Sequence, residues 1–553
     1  MTDSIRIIPL GGLGEIGKNM TAIECCGKIV VVDCGIEFPR DEMLGIDLIL
    51  PDIRWLIERR DDVLGFVITH GHEDHHGALP FVLKQLNRPV YGSRFTLALV
   101  KSKLDEHGMA KAVEVNQVDD TSRLTLGPFE LSFVAVSHSV PDALSVVIET
   151  DVGAIVVTGD YKFDHTPIDG RITDVNTFAR LGERGVLALL GDSTNATVPG
   201  STASEATVGQ AFHQIFAEAE GRVIVACFAS HLHRVQQAIS IADLHGRRFA
   251  VSGRSMLKNV NIARSLGLLE VPDGAMIKLT EIDEYRPEEI LILSTGSQGE
   301  PLSALTRMAF DDHPQVALHE GDTVVISATP IPGNELSVMS TVNRLLKVGA
   351  TVVYGRDSGV HVSGHAAQED LRMMINLVRP RFFLPVHGEY RHQYEHAALA
   401  RQAGIAEEDI FILENGDVLE LEADNAELVD RVPTGMAFVD GFEIGDAEGL
   451  VLRDHQQLAG DGILIAVVTV DAQTGDSLAP PELVARGFLH DDERLKDVLA
   501  ECADALAELL EQLGAEHVTG QRLIREDIKE RLAELVYGRT RRRPLIMPVV
   551  VEV

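Results

Sequence analysis

Short apolar runs separated by polar, glycine-containing turns dominate residues 5–200. Runs of this length are typical of buried strands, and segments with helical periodicity separate some of them. Predicted strands cover residues 5–10, 21–33, 66–68, 89–91, 124–136, 144–149, 154–158 and 186–190, and predicted helices flank residues 89–91 between 78 and 106. The pattern indicates a layered α/β structure in which several strands end at polar residues.

A second pattern begins near residue 205, where helical segments alternate with single apolar strands. Helices are predicted at 205–220 and from 233, and strands at 222–228, 248–251, 290–294 and 323–326. This alternation predicts a parallel sheet, so we interpret residues 206–358 as an inserted α/β domain. Its basic residues Arg247, Arg248, Arg254 and Lys258 either line a nucleic-acid channel or lie on a solvated surface.

The C-terminal part of the chain predicts a small α+β domain after a polar connection that follows Gly435. Strands are predicted at 463–470, 483–489 and 548–553 around two amphipathic helices. The apolar stripe of the first helix predicts core or a dimer interface and comprises Leu495, Val498, Leu499, Cys502, Leu506, Leu509, Leu510 and Leu513. We therefore divide the chain into residues 1–205, 206–358, 359–445 and 446–553, with the first and third ranges forming one domain.

Composition narrows the class of protein. The chain has 553 residues, 45% of them apolar, with no run of about 18 apolar residues. Its first residues lack a basic region followed by an apolar core, so we expect neither a signal peptide nor a membrane span. Five cysteines without a Cys-x-x-Cys pair fit a reducing compartment, so we expect a cytoplasmic protein without membrane attachment. The formal net charge of -35 argues against non-specific coating of nucleic acid, but metal ions and a local basic channel would still permit RNA binding.

The densest candidate chemistry follows the strand predicted at 66–68. His70, His72, Asp74 and His75 form the pattern His-x-His-x-Asp-His. Imidazole and carboxylate ligands suit zinc or manganese, and this pattern supplies donors for two ions. Solvated loop histidines are a poor explanation for so dense a cluster at the end of a strand. The segment therefore predicts a metal site.

Residues 11–19, Gly-Gly-Leu-Gly-Glu-Ile-Gly-Lys-Asn, are similar to two kinds of nucleotide-binding loop. Both kinds require a helix to follow, whereas residues 21–33 predict two strands. Asn19 also stands where a phosphate-binding loop needs a hydroxyl group for magnesium. We therefore predict that this segment connects strands and does not bind a nucleotide.

Later strand ends carry further candidate ligands. His138, Asp160, Asp192 and His387 each follow a predicted strand. With these residues the chain resembles the metallo-β-lactamase fold, an αβ/βα sandwich with a two-metal site, and its insert resembles the β-CASP nuclease branch. The resemblance to the bacterial ribonuclease J family rests on residues 11–19, on His-Gly-His-Glu-Asp-His from His70, and on Phe228-Ala-Ser-His231, Gly296-Ser-Gln-Gly-Glu-Pro301, His361-Val-Ser-Gly-His365 and Pro385-Val-His-Gly-Glu389.

The resemblance implies a metal centre with two divalent ions per subunit, zinc or manganese. The implied ligands are His70, His72 and His138 for one ion and Asp74, His75 and His387 for the other, with Asp160 bridging. Asp33 is implied to orient the histidines by hydrogen bonds from behind. A structural divalent ion is implied near Asp47 and Asp440.

The resemblance also implies catalytic and phosphate-binding residues. Asp160, Asp192 and His365 are the implied catalytic residues, in which Asp192 orients His365 and His365 assists the leaving 3′ oxygen. The implied phosphate-binding residues are Ala229, Ser230, His231, His361, Val362, Ser363, Gly364 and His365.

The activity that the resemblance implies is hydrolysis of RNA by a metal-dependent ribonuclease. Such an enzyme would degrade RNA in the 5′-to-3′ direction from a 5′-monophosphate end, with endonuclease activity as a second function, in RNA maturation and decay. A homodimer or homotetramer assembled through the C-terminal domain is implied, with other RNA-decay proteins as partners. Two divalent ions would activate water for in-line attack on phosphorus.

Several alternatives share this metal motif. A metallo-β-lactamase-fold hydrolase of small esters, such as a lactonase or thioesterase, would not need so large an insert. A DNA-acting β-CASP nuclease would be expected to carry an apolar residue at the position of His387, and a redox di-iron protein would carry Glu at the position of His72. An inactive scaffold is disfavoured because every ligand position is filled.

Overall fold

The computed structural model describes residues 4–39, 43, 45–300, 302–331, 334–440, 443–446, 450–489, 491–516 and 518–553. The chain divides into two compact units. The first unit comprises Met1–Phe38 and Ile49–Met436, and the second comprises Pro39–Leu48 and Ala437–Val553. Within the described ranges, no helix combines the length and the apolar character that a membrane crossing requires.

The part of the chain before the insert supplies most strands of two β-sheets. Its strands are β1 (Ile5–Gly11), β2 (Met20–Cys25), β3 (Lys28–Val32), β4 (Leu48–Pro51), β5 (Val63–Val67), β6 (Val90–Gly92), β7 (Val115–Gln117), β8 (Arg123–Leu126), β9 (Phe129–Ala135), β10 (Leu144–Glu149), β11 (Ala154–Val157) and β12 (Val186–Asp192). Its helices are α1 (Arg54–Glu58), α2 (Glu73–His76), α3 (Leu79–Gln85), α4 (Arg94–Glu106) and α5 (Val175–Arg184). The predicted strands are confirmed with small shifts in their bounds, and β4 and β7 are additional.

The insert forms its own five-stranded parallel sheet in the order β14-β15-β13-β16-β17. Its elements are α6 (Ala206–Glu218), β13 (Val223–Ala226), α7 (Leu232–Leu244), β14 (Arg248–Ser252), α8 (Arg254–Ser265), β15 (Ile290–Ser294), α9 (Ala304–Ala309), β16 (Thr323–Ile326), α10 (Glu335–Val348) and β17 (Thr351–Val353). Helices cover both faces of this sheet, and alternate residues of β13 point to opposite faces. Val223 and Val225 pack with α6, α7 and α8, whereas Ile224 packs with α9 and α10.

The part of the chain after the insert completes both sheets of the first unit. Its elements are α11 (Gln368–Val378), β18 (Pro380–Val386), α12 (Tyr390–Gln402), β19 (Asp417–Leu421) and β20 (Ala426–Arg431). Strand β18 pairs in parallel with β12, with Leu190 opposite Leu384. Strand β19 pairs antiparallel with β1, with Ile7 opposite Leu419. The segments that flank the insert therefore belong to one folded body.

The two sheets share one hydrophobic core. One has eight strands in the order β20-β19-β1-β2-β3-β5-β6-β7, and the other has six in the order β18-β12-β11-β10-β9-β8. Ile7 and Val30 of the first sheet lie in the same buried cluster as Phe133 and Leu190 of the second. Helices α5 and α11 pack on the outer face of the six-stranded sheet. This arrangement confirms the predicted α/β sandwich with an inserted α/β domain.

The second unit ends in a three-stranded sheet covered by two long helices. Its elements are β21 (Met436–Asp440), β22 (Glu443–Asp446), α13 (Leu450–Asp461), β23 (Ile463–Val470), β24 (Glu482–Arg486), α14 (Asp492–Ala515), α15 (Gln521–Thr540) and β25 (Leu545–Glu552). The sheet order is β24-β23-β25. The predicted stripe of α14 lies in the core, where Cys502, Leu506 and Leu510 are fully buried. The prediction of a polar connection after Gly435 is wrong, because β21 and β22 form an antiparallel hairpin before α13.

Candidate metal centre

Parallel strands bring the later candidate ligands to one edge of the six-stranded sheet. Asp160 follows β11, Asp192 ends β12 and His387 follows β18, and these three strands are neighbours that run in parallel. Their carboxyl ends therefore meet at the same edge. His138 follows β9 of the same sheet.

The first cluster of candidate ligands follows β5 of the eight-stranded sheet, and Asp74 and His75 of this cluster lie on the short helix α2. The backbone of this helix packs directly on the segment after β3, where Cys34 N donates to His75 O at 2.7 Å. A Cβ atom at Gly35 would lie 1.6 Å from Asp74 O, so this contact requires glycine. Asn19 N also donates to Asp74 O, at 3.0 Å. These backbone contacts fix the position of the helix that carries Asp74 and His75.

Asp160 stands at the centre of the imidazoles. Its Oδ2 lies 3.4 Å from Nε2 of both His70 and His75 and 3.6 Å from Nε2 of His138. Its Oδ1 lies 3.8 Å from His387 Nε2. The side chain is buried, and Oδ1 finds no hydrogen-bond donor among the described residues. A buried carboxylate oxygen without a donor fits a ligand for a cation.

Three ring nitrogens lie close to one another at the centre of the first ligand set. His72 Nδ1 lies 3.0 Å from His70 Nε2 and 3.1 Å from His138 Nε2. The outer nitrogen of His138, Nδ1, donates to Gly364 O at 2.8 Å, so the inner Nε2 of the neutral ring carries a lone pair. Lone pairs in such close contact repel one another unless a cation accepts them. The donor set therefore fits a divalent metal ion.

The outer nitrogens of the other four rings are held by side chains. His75 Nδ1 donates to Asp33 Oδ2 at 2.8 Å, as predicted for Asp33. The remaining partners are hydroxyl groups that the sequence patterns did not indicate: Thr69 Oγ1 lies 3.0 Å from His70 Nδ1, Ser139 Oγ 3.2 Å from His72 Nε2, and Thr194 Oγ1 2.7 Å from His387 Nδ1. Bonds of this kind fix ring orientation and raise the basicity of the inner nitrogen.

The electrostatics of the cluster favour positive charge. Burial lowers the pKa of His70 and His138 well below its usual value and lowers that of His72 to about 4. Burial also acts on His75 and His387, but the nearby carboxylates, Asp160 foremost, outweigh it and raise the pKa of both rings. The rings of His70, His72 and His138 are therefore held neutral, as metal binding requires. The carboxylates around His75 and His387 favour a positive charge there, which a divalent ion would supply.

The geometry groups the donors into two sets that match the predicted ligands. One set comprises His70, His72, His138 and Asp160, and the other comprises Asp74, His75 and His387. Within each set the ligand atoms lie within 4.8 Å of one another. A third group, Asp160 with Asp192 and His387, shares members with both sets. The predicted ligands are thus brought together in one continuous cluster.

His365 borders this cluster and is held by Asp192. Its Nδ1 lies 2.8 Å from Asp192 Oδ2 and 3.9 Å from Asp160 Oδ2. Burial lowers the pKa of His365, but Asp192 and Asp160 outweigh burial and raise it to about 9. These two carboxylates therefore favour the protonated form of the ring.

The two candidate phosphate-binding loops differ in exposure. Residues 361–365 are partly exposed, and Asn195 Nδ2 donates to Ser363 Oγ at 2.8 Å and to His365 O at 3.1 Å. Ala229 and Ser230 are also partly exposed. His231 is buried, and its Nε2 accepts from Arg234 Nη2 at 3.1 Å. The expectation of phosphate contact therefore does not extend to the His231 ring, because that ring faces Arg234 inside the protein.

The structure also bears on the predictions for the glycine-rich segment and for the basic residues of the insert. Lys18 of the glycine-rich segment is buried and pairs with Glu15 at 2.8 Å and Glu37 at 3.2 Å, in the strand connection that was predicted. Asn19 Nδ2 lies 3.2 Å from His75 Nε2, a contact that was not predicted. Arg247 does not line a channel, because its buried guanidinium donates to the carbonyl oxygens of residues 219, 221 and 290.

The two aspartates of the predicted structural ion site, Asp47 and Asp440, belong to the second unit. Asp47 is exposed, and its backbone N–H donates to Val439 O at 2.8 Å. The side chain of Asp440 lies outside the described residues. Binding of an ion by these two carboxylates stays a prediction.

Comparison with known protein families now assigns the fold. Four family models match consecutive parts of the chain. They are the metallo-β-lactamase superfamily at residues 13–200, the ribonuclease J β-CASP domain at 220–345, the Zn-dependent metallo-hydrolase RNA specificity domain at 350–413 and the ribonuclease J C-terminal domain at 450–553.

Individual relatives match over nearly the whole length. Ribonuclease J2 of Bacillus subtilis is 41% identical over 552 residues, which cover 100% of this chain and 99% of the relative. Ribonuclease J 1 of Streptococcus pyogenes is 42% identical over 548 residues, covering 99% of this chain and 98% of the relative. This chain belongs to the ribonuclease J family. It is a metal-dependent ribonuclease, and the matches give no support to a small-ester hydrolase or a DNA-acting nuclease.

One further relative agrees with this assignment, and one solved structure shares the fold. Ribonuclease J of Synechocystis is 45% identical over 490 residues, covering 88% of this ribonuclease and 76% of the relative. The crystal structure of a protein of unknown function from Enterococcus faecalis has a TM-score of 0.53 at 16% identity, covering 76% of this ribonuclease and 100% of that chain. The latter similarity concerns the fold alone.

Proposed function

We propose that this ribonuclease degrades RNA in the 5′-to-3′ direction from a 5′-monophosphate end, with internal cleavage as a second activity, in RNA maturation and decay. The observation that carries the proposal is the contact between the loop at 361–365 and the donor cluster. Gly364 O accepts from the candidate ligand His138, and His365 lies beside Asp160. A phosphate group held by this loop would therefore lie next to the candidate metal ligands.

Two divalent ions per subunit are part of the proposal. His70, His72 and His138 would hold one ion and Asp74, His75 and His387 the other, with Asp160 shared between them. Nitrogen and carboxylate donors suit zinc, with manganese as the alternative. The ions would activate water and neutralise negative charge on the scissile phosphate.

The remaining side chains have separate tasks in the proposed reaction. Asp192 accepts from His365 Nδ1 at 2.8 Å, which fixes the ring and leaves Nε2 to donate to the leaving 3′ oxygen. Ser363 and Ser230, both partly exposed, supply hydroxyl groups for phosphate oxygens. Asp33 and Thr194 hold His75 and His387 in place from behind.

Assembly through the C-terminal domain, as a homodimer or homotetramer, is also proposed. Helices α14 and α15 cover one face of the β24-β23-β25 sheet. On the other face Ile465 lies between Val484 and Met547 on the neighbouring strands, and these two flanking residues are 49% and 47% exposed. An apolar stripe of this kind supports burial against a second copy. Light scattering of Val484→Glu should show a smaller assembly, while Leu523→Glu, an exposed position on α15, should not.

The proposal also includes the domain boundaries, the cellular compartment and the partner proteins. We assign residues 1–205 and 359–445 to the catalytic domain, 206–358 to the insert and 446–553 to the C-terminal domain. The proposed setting is the cytoplasm, with other RNA-decay proteins as partners. Co-purification of tagged chain from cell lysate with RNA-decay enzymes, after nuclease treatment, would test the partners.

The decisive experiment uses end-labelled RNA that carries either a 5′-monophosphate or a 5′-triphosphate, with zinc or manganese. The wild type should degrade the monophosphorylated RNA faster, and His72→Ala should lose most activity. His165→Ala, which alters an exposed histidine of the same unit, is the matched control and should retain activity. Intact RNA after incubation with the wild type, or equal activity of His72→Ala, would refute the proposal.

A further inference from the structure

Arg234 is a charged side chain with no exposed surface. It lies in the first turn of α7, directly after the candidate phosphate-binding residues Ala229 and Ser230. Its Nε donates to Glu205 Oε1 at 2.5 Å and its Nη2 to Glu205 Oε2 at 2.8 Å. The two hydrogen bonds pair the buried positive charge of Arg234 with the buried negative charge of Glu205. They occupy the edge of the guanidinium group that carries Nε and Nη2.

The rest of the guanidinium reaches three other segments. Nη1 donates to Ser327 Oγ at 2.6 Å and to Val360 O at 3.3 Å, and Nη2 approaches Val362 O at 3.4 Å. Ser327 Oγ donates in turn to Val360 O at 2.6 Å. Nη2 also donates to His231 Nε2 at 3.1 Å. One planar cation therefore joins the end of β16, the loop before α7 and the backbone of residues 360–362.

The loop at 360–365 has two separate anchors. Arg234 and Ser327 hold the carbonyl groups of residues 360–362. Residues 363–365 are held by Asn195, through Ser363 Oγ and His365 O, and by Thr202 Oγ1, which donates to His365 O at 2.6 Å. The half of the loop that contacts the candidate ligand His138 is thus fixed without Arg234.

We infer that Arg234 is a positioning residue for RNA: it sets the distance between the loop at 229–231 and the loop at 361–365. The inference rests on the proposed function, because that proposal assigns phosphate binding to these loops. Lysine cannot replace arginine here, since an ammonium group lacks the planar fork that serves Glu205 and the loop carbonyls together. Loss of the fork should weaken RNA binding and leave the metal centre intact.

The test compares Arg234→Lys with Arg222→Lys. Arg222 is a matched control in the same insert: it is buried and pairs with Asp322 through Nε at 2.9 Å and Nη2 at 2.5 Å, but it contacts neither loop. For Arg234→Lys we expect the KM for 5′-monophosphorylated RNA to rise about tenfold or more while kcat changes less than about threefold. Metal content by elemental analysis should match wild type. Arg222→Lys should lower the Tm without raising the KM.

Three outcomes would overturn the inference: an unchanged KM in Arg234→Lys, equal KM effects in the two variants, or metal loss in Arg234→Lys. If Arg234→Lys does not fold, Ser327→Ala decides, because it removes one hydroxyl that contacts both Arg234 and Val360 and should raise the KM in the same direction. Failure of the proposed function appears separately, as a wild type that does not distinguish 5′-monophosphorylated from 5′-triphosphorylated RNA.

Discussion

Asp33 offers a direct test of how the candidate metal centre is organised. Its Oδ2 accepts from His75 Nδ1 at 2.8 Å, and its Oδ1 accepts from Thr69 N at 2.8 Å. The hydroxyl of Thr69 also donates to this carboxylate, at 3.0 Å to Oδ2. In Asp33→Asn one acceptor oxygen becomes an NH2 group, so a donor would face either His75 Nδ1 or Thr69 N. The volume of the side chain stays the same.

The size of the effect follows from the bond that is lost. A hydrogen bond from an imidazole to a buried carboxylate contributes about 1.5 to 3 kcal/mol. Because about 1.4 kcal/mol corresponds to a factor of ten, the ion held by Asp74, His75 and His387 should bind about 10- to 100-fold more weakly. The set of His70, His72 and His138 has partners that do not contact Asp33, namely Ser139 Oγ at His72 and Gly364 O at His138, and should keep its ion.

The assay is zinc binding in competition with a chromophoric chelator, followed by elemental analysis after dialysis. We expect Asp33→Asn to retain about one zinc per chain where the wild type retains about two. Asp174→Asn makes the same chemical change at a carboxylate that caps α5 and lies outside the cluster, and it should behave as wild type. Wild-type zinc affinity in Asp33→Asn would refute the reasoning.

Three further predictions address other parts of the first unit. A Cβ atom at Gly364 would lie 2.7 Å from His138 Cε1, so Gly364→Ala should displace that ring and release the ion held by His70, His72 and His138, as elemental analysis would show. His365→Ala should slow RNA cleavage about 100-fold or more while metal content stays close to wild type; loss of both ions would make His365 a ligand. Burial lowers the pKa of His396 from 6.5 to about 3. As the pH falls below 6.5, this histidine gains a proton in the unfolded chain but not in the folded chain. The free energy of unfolding therefore decreases until the pH reaches about 3. At pH 5 this loss is about 2 kcal/mol, and metal-free His396→Gln should lose less Tm than metal-free wild type between pH 7.5 and about pH 5.

The fold was predictable where strands are buried on both faces. β10, β12 and β15 are buried along almost their whole length and appear in the sequence as continuous apolar runs. β20 shows no such run, because it pairs only with β19 at the edge of the sheet and exposes most of its side chains. β7, a three-residue edge strand, gives an equally weak signal. Edge strands need little apolar sequence, so their pattern does not distinguish them from loops.

The candidate ligands were predictable because histidine and aspartate are rarely so dense without a function. The side chains that support them were harder to predict. Thr69, Ser139 and Thr194 each adjoin or lie near a candidate ligand in sequence, but hydroxyl residues are common in such turns. Arg247 fits neither predicted alternative, a channel or a solvated surface, because sequence alone does not reveal that a basic side chain satisfies buried carbonyl groups.

The loop at 360–365 has two anchors, and variants at the two anchors should have different defects. Gly364 O contacts His138, so a change at Gly364 acts on metal retention first. Val360 O and Val362 O contact Arg234, so a change at Arg234 acts on RNA affinity first. Because Asn195 fixes the loop between these contacts, the two effects should combine additively in the free energies of RNA binding and metal binding. Strong coupling in the double variant would mean that the loop moves as one body and that RNA binding and metal retention are linked through it.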